Sequence, residues 1–251
     1  MSIENTFDDK TEAILNPEQI SPLIDGFPKI AVVTFEESVI SVFRENYQSK
    51  LIGEINACVT IPIYQICYEG KDIAVYCSTL GGPAAVALLE EMIAKGCEKF
   101  IFFGSCGVLK EDISTNSLII PSAAYRDEGT SYHYMPASEY IEINSARRLI
   151  TVLSELEVPF VCGKTWTTDA IFRETRGNME KRKKDGCLTV EMECASIMAV
   201  AQFRGVAVYQ FLYAADNLDA REWDARALDS LPQKNVNAKL LRIAFEVAIK
   251  V

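Results

Sequence analysis

The sequence predicts a single α/β domain in which helices cover both faces of a central sheet. Three observations predict it. Short runs that are apolar throughout and rich in β-branched residues alternate with stretches of helical periodicity. Strands without a polar face need cover on both sides. With 251 residues, 49% hydrophobic and 24% charged, the chain can also bury a substantial core.

Residues 1–28 read as a polar arm on the surface, punctuated by Pro17, Pro22 and Pro28, and residues 29–251 as the domain. KIAVVTF (Lys29 to Phe35) reads as a strand and EESVISVFREN after it as a helix. DIAVYCS (Asp72 to Ser78) is a strand, followed by PAAVALLEEMIAKG (Pro83 to Gly96), a helix opened by proline and closed by glycine. Strands are then expected at KFIFFG (Lys99 to Gly104), SLIIPSAAY (Ser117 to Tyr125), PFVCGKTW (Pro159 to Trp166) and VAVYQFLYAAD (Val206 to Asp216), with a helix near Ser145 to Leu156. TVEMECASIMAVAQFRG (Thr189 to Gly205) sets two carboxylates, Glu191 and Glu193, ahead of a run that is nearly all small or apolar. An extended approach would turn both to one side and a helix would part them. NVNAKLLRIAFEVAIKV spaces its apolar residues for an amphipathic C-terminal helix.

Composition excludes several functions. A formal charge of −10 and a pI near 4.8 are the wrong sign for gripping nucleic acid phosphates. The one basic cluster, EKRKKDG (Glu180 to Gly186), reads as a solvated helix face. No apolar run approaches the roughly 18 residues of a membrane span, and MSIENTFDDKTEAIL lacks the pattern of a signal peptide, so a soluble, cytoplasmic protein is expected. The eight cysteines show no CxxC pair and read as buried thiols of a reducing compartment. His133 is the only histidine, which excludes a metal site built on two or more imidazoles.

Ligands of open α/β sheets bind beyond the carboxyl ends of the strands. Four places qualify. In STLGGPAA, Gly81 and Gly82 follow a strand and open a helix, where backbone N–H groups favour an anion, or form an ordinary turn. In FFGSCGVL, Gly104, Ser105 and Gly107 could cradle an anion or a sugar oxygen. YRDEGTSYHYMP, with Arg126 and His133, has the make-up of a ligand loop or of a subunit contact. In YAADNLD, Asp216 ends an apolar strand, where desolvation can raise its pKa and let it donate a proton; a helix N-cap is the alternative.

These places, in this order, resemble the nucleoside phosphorylase and uridine phosphorylase superfamily, which includes the methylthioadenosine nucleosidases. The resemblance runs from about Lys29 to the C-terminus. VEMECA (Val190 to Ala195) is similar to the family's VEMExA signature, GSCG (Gly104 to Gly107) to its phosphate-side turn, and DEGTSYHYMP (Asp127 to Pro136) to the DGASxHFxP stretch of uridine phosphorylases. The resemblance implies a central mixed, twisted sheet of the phosphorylase/hydrolase type. It implies that Met192 and Glu193 hold a ribose, with Glu191 as a further candidate. Asp216, which is Asn in uridine enzymes, would protonate a departing purine at N7. Phe172 would stack on the base, with Cys106 and Gly107 beside it. The implied reaction is phosphorolysis of a purine nucleoside to free base and ribose 1-phosphate, without a cofactor or metal and with inorganic phosphate as co-substrate. The implied assembly is a homo-oligomer: dimer, trimer or hexamer.

The nucleophile side departs from the pattern. The phosphorylases' GDPxR turn is replaced by TFEESV (Thr34 to Val39), and another phosphate-binding arginine by Phe102. Ser105, the N–H groups near Gly81 and Gly82, and Arg126 remain as phosphate ligands. The nucleosidases carry GAMEEEV there, with a Glu that activates water, but aligning the valines puts Ser38 in its place. Glu36 and Glu37 then read either as a water-activating carboxylate or as first-turn helix acids. Hydrolysis by water and nucleoside binding without turnover are therefore alternatives, and the likeness of DEGTSYHYMP to the uridine enzymes adds uridine phosphorolysis as a third.

Overall fold

The computed structural model describes residues 2–56, 58–229 and 233–251. The strands are β1 (Ile30–Thr34), β2 (Lys50–Asn56), β3 (Thr60–Tyr68), β4 (Lys71–Cys77), β5 (Lys99–Val108), β6 (Leu118–Asp127), β7 (Tyr140–Glu142), β8 (Phe160–Thr168), β9 (Cys187–Glu191) and β10 (Ala207–Asn217). The helices are α1 (Glu37–Asn46), α2 (Gly82–Lys95), α3 (Ala146–Glu155), α4 (Arg176–Lys184), α5 (Cys194–Arg204) and α6 (Lys234–Lys250).

The ten strands form one mixed sheet. β1 lies between β4 and β5, parallel to both, and an antiparallel extension through β3 ends on β2. The other half closes on itself. β5 pairs with β10, β10 with β6, β6 with β8, β8 with β9, and β9 returns to β5. This ring brings the ends of β5, β9 and β10 together although they are far apart in sequence.

The core follows the apolar runs. Phe100, Ile101, Phe102 and Phe103 of β5 are fully buried, and each such side chain stabilises the fold by about 1.5–3 kcal/mol. α2 begins at Gly82, is followed at once by Pro83, and stops at Gly96, whose φ of 117° ends it in the left-handed region. α5 is buried through most of its length. α4 carries the basic cluster on a solvated surface and buries only Met179.

Two sequence expectations change. The sequence reading does not anticipate β2 and β3, because neither is buried throughout: β2 is mostly exposed or half-exposed, and β3 interleaves buried Ile61, Ile63 and Ile66 with exposed or half-exposed residues and carries Pro62. The thiols are not uniformly buried: Cys97, Cys106, Cys187 and Cys194 are, whereas Cys58, Cys67 and Cys162 are exposed. Residues 1–28 hold 3₁₀ turns at Ile3–Asn5 and Pro17–Gln19. The arm is tied to α2 where the Ser21 hydroxyl donates to Glu91 and the Ile24 N–H to the Lys95 carbonyl. No helix among the described residues is long and apolar enough to cross a membrane.

Candidate active site

The carboxyl ends of β1, β5, β9 and β10 open onto one cavity of about 750 Å³. Glycine is required at its floor. A Cβ on Gly107 would lie 2.5 Å from Leu218 Cδ1 and 3.1 Å from Val190 Cγ1, and one on Gly104 would lie 2.8 Å from the Phe35 ring. These close approaches bring Ser105 and Cys106 to the wall.

The two acids of VEMECA divide their tasks. Glu191 ends β9, and its carboxylate accepts from Thr167 Oγ1 at 2.6 Å and from the N–H groups of Glu193 and Cys194 at 2.8 and 2.6 Å. It thereby satisfies the open N-terminus of α5. Burial lifts its carboxyl to about 7 against these bonds. Glu193 is the residue before the helix, and the Gly81 N–H donates to its Oε1 at 2.5 Å. Burial, and then the charge of Glu191, raise Glu193 to about 8. Glu193 and the half-buried Met192 both line the cavity.

Asp216 sits inside β10, where the pairing with β5 slips between Ala214 and Asp216, so it is a strand residue and not a helix N-cap. Burial raises its carboxyl, and the Trp223 indole N–H, donating at 2.8 Å, holds it down in part. Glu174 is raised to about 7 by burial and by Asp216. Phe172 stands 95% exposed at the mouth. The Arg176 guanidinium is occupied: it donates to the carbonyls of Leu218, Ala220 and Arg221, holding the segment that carries Trp223.

Glu36 is the residue whose place the sequence left most open. Glu37 lies in the first turn of α1, but Glu36 makes no capping bond and lines the cavity. The Tyr213 hydroxyl donates to its Oε1, Ser38 Oγ donates to Oε2 at 3.3 Å, and Ser105 also hydrogen-bonds it. Burial raises the Glu36 carboxyl. Ser38 is itself held by Asn237 of α6 at 3.0 Å.

The structure does not assemble the expected phosphate ligands. Arg126 is 4% exposed and lies outside the cavity wall, donating to Ser131, Ser138 and the Pro136 carbonyl with its guanidinium over the Tyr132 ring. Its partners are local, so it braces its own loop. The Gly81 N–H is taken by Glu193, and Gly82 packs against Ser196, where a Cβ would meet Oγ at 2.3 Å. Of the four residues on that side only Ser105 reaches the wall; Cys106 and Gly107 reach it as expected. His133 is exposed and away from it. Among the described residues no cluster of His, Cys, Asp and Glu could hold a metal ion. The wall carries the carboxyls of Glu36, Glu174, Glu191, Glu193 and Asp216, and Arg176 is its only cationic side chain among the described residues.

Comparison with known proteins places this geometry in context. The family model described as the phosphorylase superfamily matches residues 29–245. A guanosine phosphorylase of Halorubrum lacusprofundi is 26% identical over 176 residues, covering 68% of this chain and 73% of its own. A DeoD-type purine nucleoside phosphorylase of Vibrio cholerae is 27% identical over 188 residues, covering 73% and 78%. A uridine phosphorylase of Thermococcus kodakarensis is 30% identical over 156 residues, covering 55% and 56%. The fold matches the crystal structure of purine nucleoside phosphorylase from Toxoplasma gondii in complex with immucillin-H, with a TM-score of 0.73 at 17% identity, covering 96% and 97% of the two chains.

Proposed function

The chain belongs to the phosphorylase superfamily, and from that premise we propose that its cavity cleaves the N-glycosidic bond of a purine nucleoside with water as the nucleophile. The observation that carries the choice of water is Glu36, a half-buried carboxylate between Tyr213 and Ser105 with no cationic side chain beside it among the described residues. A phosphate dianion there would meet a carboxylate where it needs charge-assisted donors. Water would meet a base.

In this reading Met192 and Glu193 hold the ribose. Glu36 takes a proton from water as the oxygen bonds to C1′. The C1′–N9 bond breaks, its electron pair passes into the purine, and Asp216 delivers its proton to N7. Glu193, ionised as the pH rises through about 8, then stabilises the positive charge that develops on the sugar. The products are free purine and ribose, and solvent returns the proton from Glu36 to Asp216. Glu191 acts through position, fixing the start of α5 and hence Glu193.

Phosphorolysis is the second reading, favoured by the names of the relatives, which include guanosine, purine nucleoside and uridine phosphorylases. One experiment separates them: a panel of purine and pyrimidine nucleosides is incubated with and without phosphate, and free base is followed. The proposal expects purine release at the same rate without phosphate and a loss of about 100-fold or more in Glu36→Gln. Release that requires phosphate and survives Glu36→Gln would favour the second reading. Binding without any release would sink both.

A further inference from the structure

Gln210 stands in an otherwise apolar strand, and nothing in the proposed mechanism uses it. The residue is 2% exposed, and its carbonyl Oε1 is buried without a hydrogen-bond partner. A buried amide left in that state costs stability, and a β-branched or apolar residue would suit a central strand better. Such a group is kept where something outside the fold satisfies it.

Its place says what that is. Gln210 lines the same cavity as Glu36 and Ser105. In the β5–β10 pairing it lies opposite Phe102, and Leu212 lies opposite Gly104. The Phe35 ring packs on Gly104, 6.0 Å from the Phe102 ring. Phe35 leads directly into Glu36, and Phe35, Glu36 and Gln210 all line the cavity. Gln210 therefore belongs to the end of the cavity that holds Glu36.

We infer that Gln210 is a ligand of the nucleophile, a statement that rests on the proposed function and adds a residue to it. A carboxylate can accept only one proton of a water molecule in line. With its amide turned toward the cavity, the Gln210 carbonyl accepts the other, so that the water's lone pair is left facing C1′. A neutral amide suits this role because it orients water without adding charge beside Glu36.

The test is Gln210→Leu, with Gln210→Met as a second apolar replacement of similar length. A positioned ligand of the nucleophile predicts a fall in kcat of about 10-fold or more, with the nucleoside KM within about twofold, because the nucleoside itself is not touched. Thermal unfolding should occur at the same or a higher temperature, since an unpaired buried amide has been removed. A structural amide would instead give a lower unfolding temperature, and that result together with unchanged kcat in the two variants overturns the inference. A KM that rises as kcat falls overturns it too, placing Gln210 on the nucleoside. If the unaltered protein releases no base, the proposed function fails and this inference with it. If it turns over and both variants match it, this inference alone fails.

Discussion

Glu193→Gln should make the protein more stable at alkaline pH while damaging the site. The Glu193 carboxyl lies at about 8 in the folded chain against an ordinary 4.5. A raised carboxyl favours the fold only while protonated. Its contribution is complete below about 4.5 and is lost as the pH rises through about 8. At about 1.4 kcal/mol per pH unit, the ionised form costs up to ~5 kcal/mol. Part of that penalty is repulsion from Glu191 and is shared with it, so about 2–3 kcal/mol is the figure for the single substitution. Glutamine keeps an oxygen for the Gly81 N–H and carries no charge. Thermal unfolding followed from pH 5 to 9 should show little difference from the parent at pH 5. By pH 8.5 to 9 the variant should lead by about 5–10 °C. A variant that is less stable at pH 9, or an offset that does not change with pH, would refute the buried-charge reasoning. In activity the same variant should lose more on ribosides than on 2′-deoxyribosides, since the 2′ hydroxyl is the proposed partner of Glu193.

Other consequences can be measured on the same preparation. Asp216→Asn should slow purine release by about 100-fold or more, yet spare a nitrophenyl riboside, whose leaving group needs no proton; equal losses on both would remove Asp216 as the acid. Trp223→Phe deletes the indole donor that holds the Asp216 carboxyl down. Asp216 should then keep its proton to higher pH, and the alkaline limb of the kcat profile should move upward; a downward shift contradicts the assignment. Gly107→Ala places a methyl 2.5 Å from Leu218 Cδ1, and should cost about 1–3 kcal/mol by overpacking and lower turnover, as read by unfolding temperature and initial rate.

Much of this site was legible because strand ends and helix starts have local signatures. The apolar runs marked β1, β4, β5, β6, β8 and β10, and the residues following them supplied Ser105 and Asp216. VEMECA gave Met192 and Glu193. It could not separate Glu193 from Glu191, because the position of the α5 start decides which of these two cavity-wall acids is engaged by the helix N–H groups. Glu36 was ambiguous for a related reason: an acid between a strand and a helix suits the helix N-terminus as well as a ligand. Its orientation is set by Tyr213, 177 residues away, a contact no local pattern encodes. Arg126 shows the opposite error. Its charge beside an aromatic loop suggested an anion ligand, but Ser131, Pro136 and Ser138 of that same loop satisfy it. Gln210 did leave a trace, as the only amide in VAVYQFLYAAD, but an isolated polar residue in a strand acquires meaning only when its lack of a partner is seen.

The nucleophile is the central claim, and the sugar product records it directly. Purine nucleoside should be cleaved to completion in phosphate buffer and the pentose identified by mass. Water activated by Glu36 predicts free ribose as the product, formed equally without phosphate. Ribose 1-phosphate, formed only when phosphate is supplied, would contradict the account.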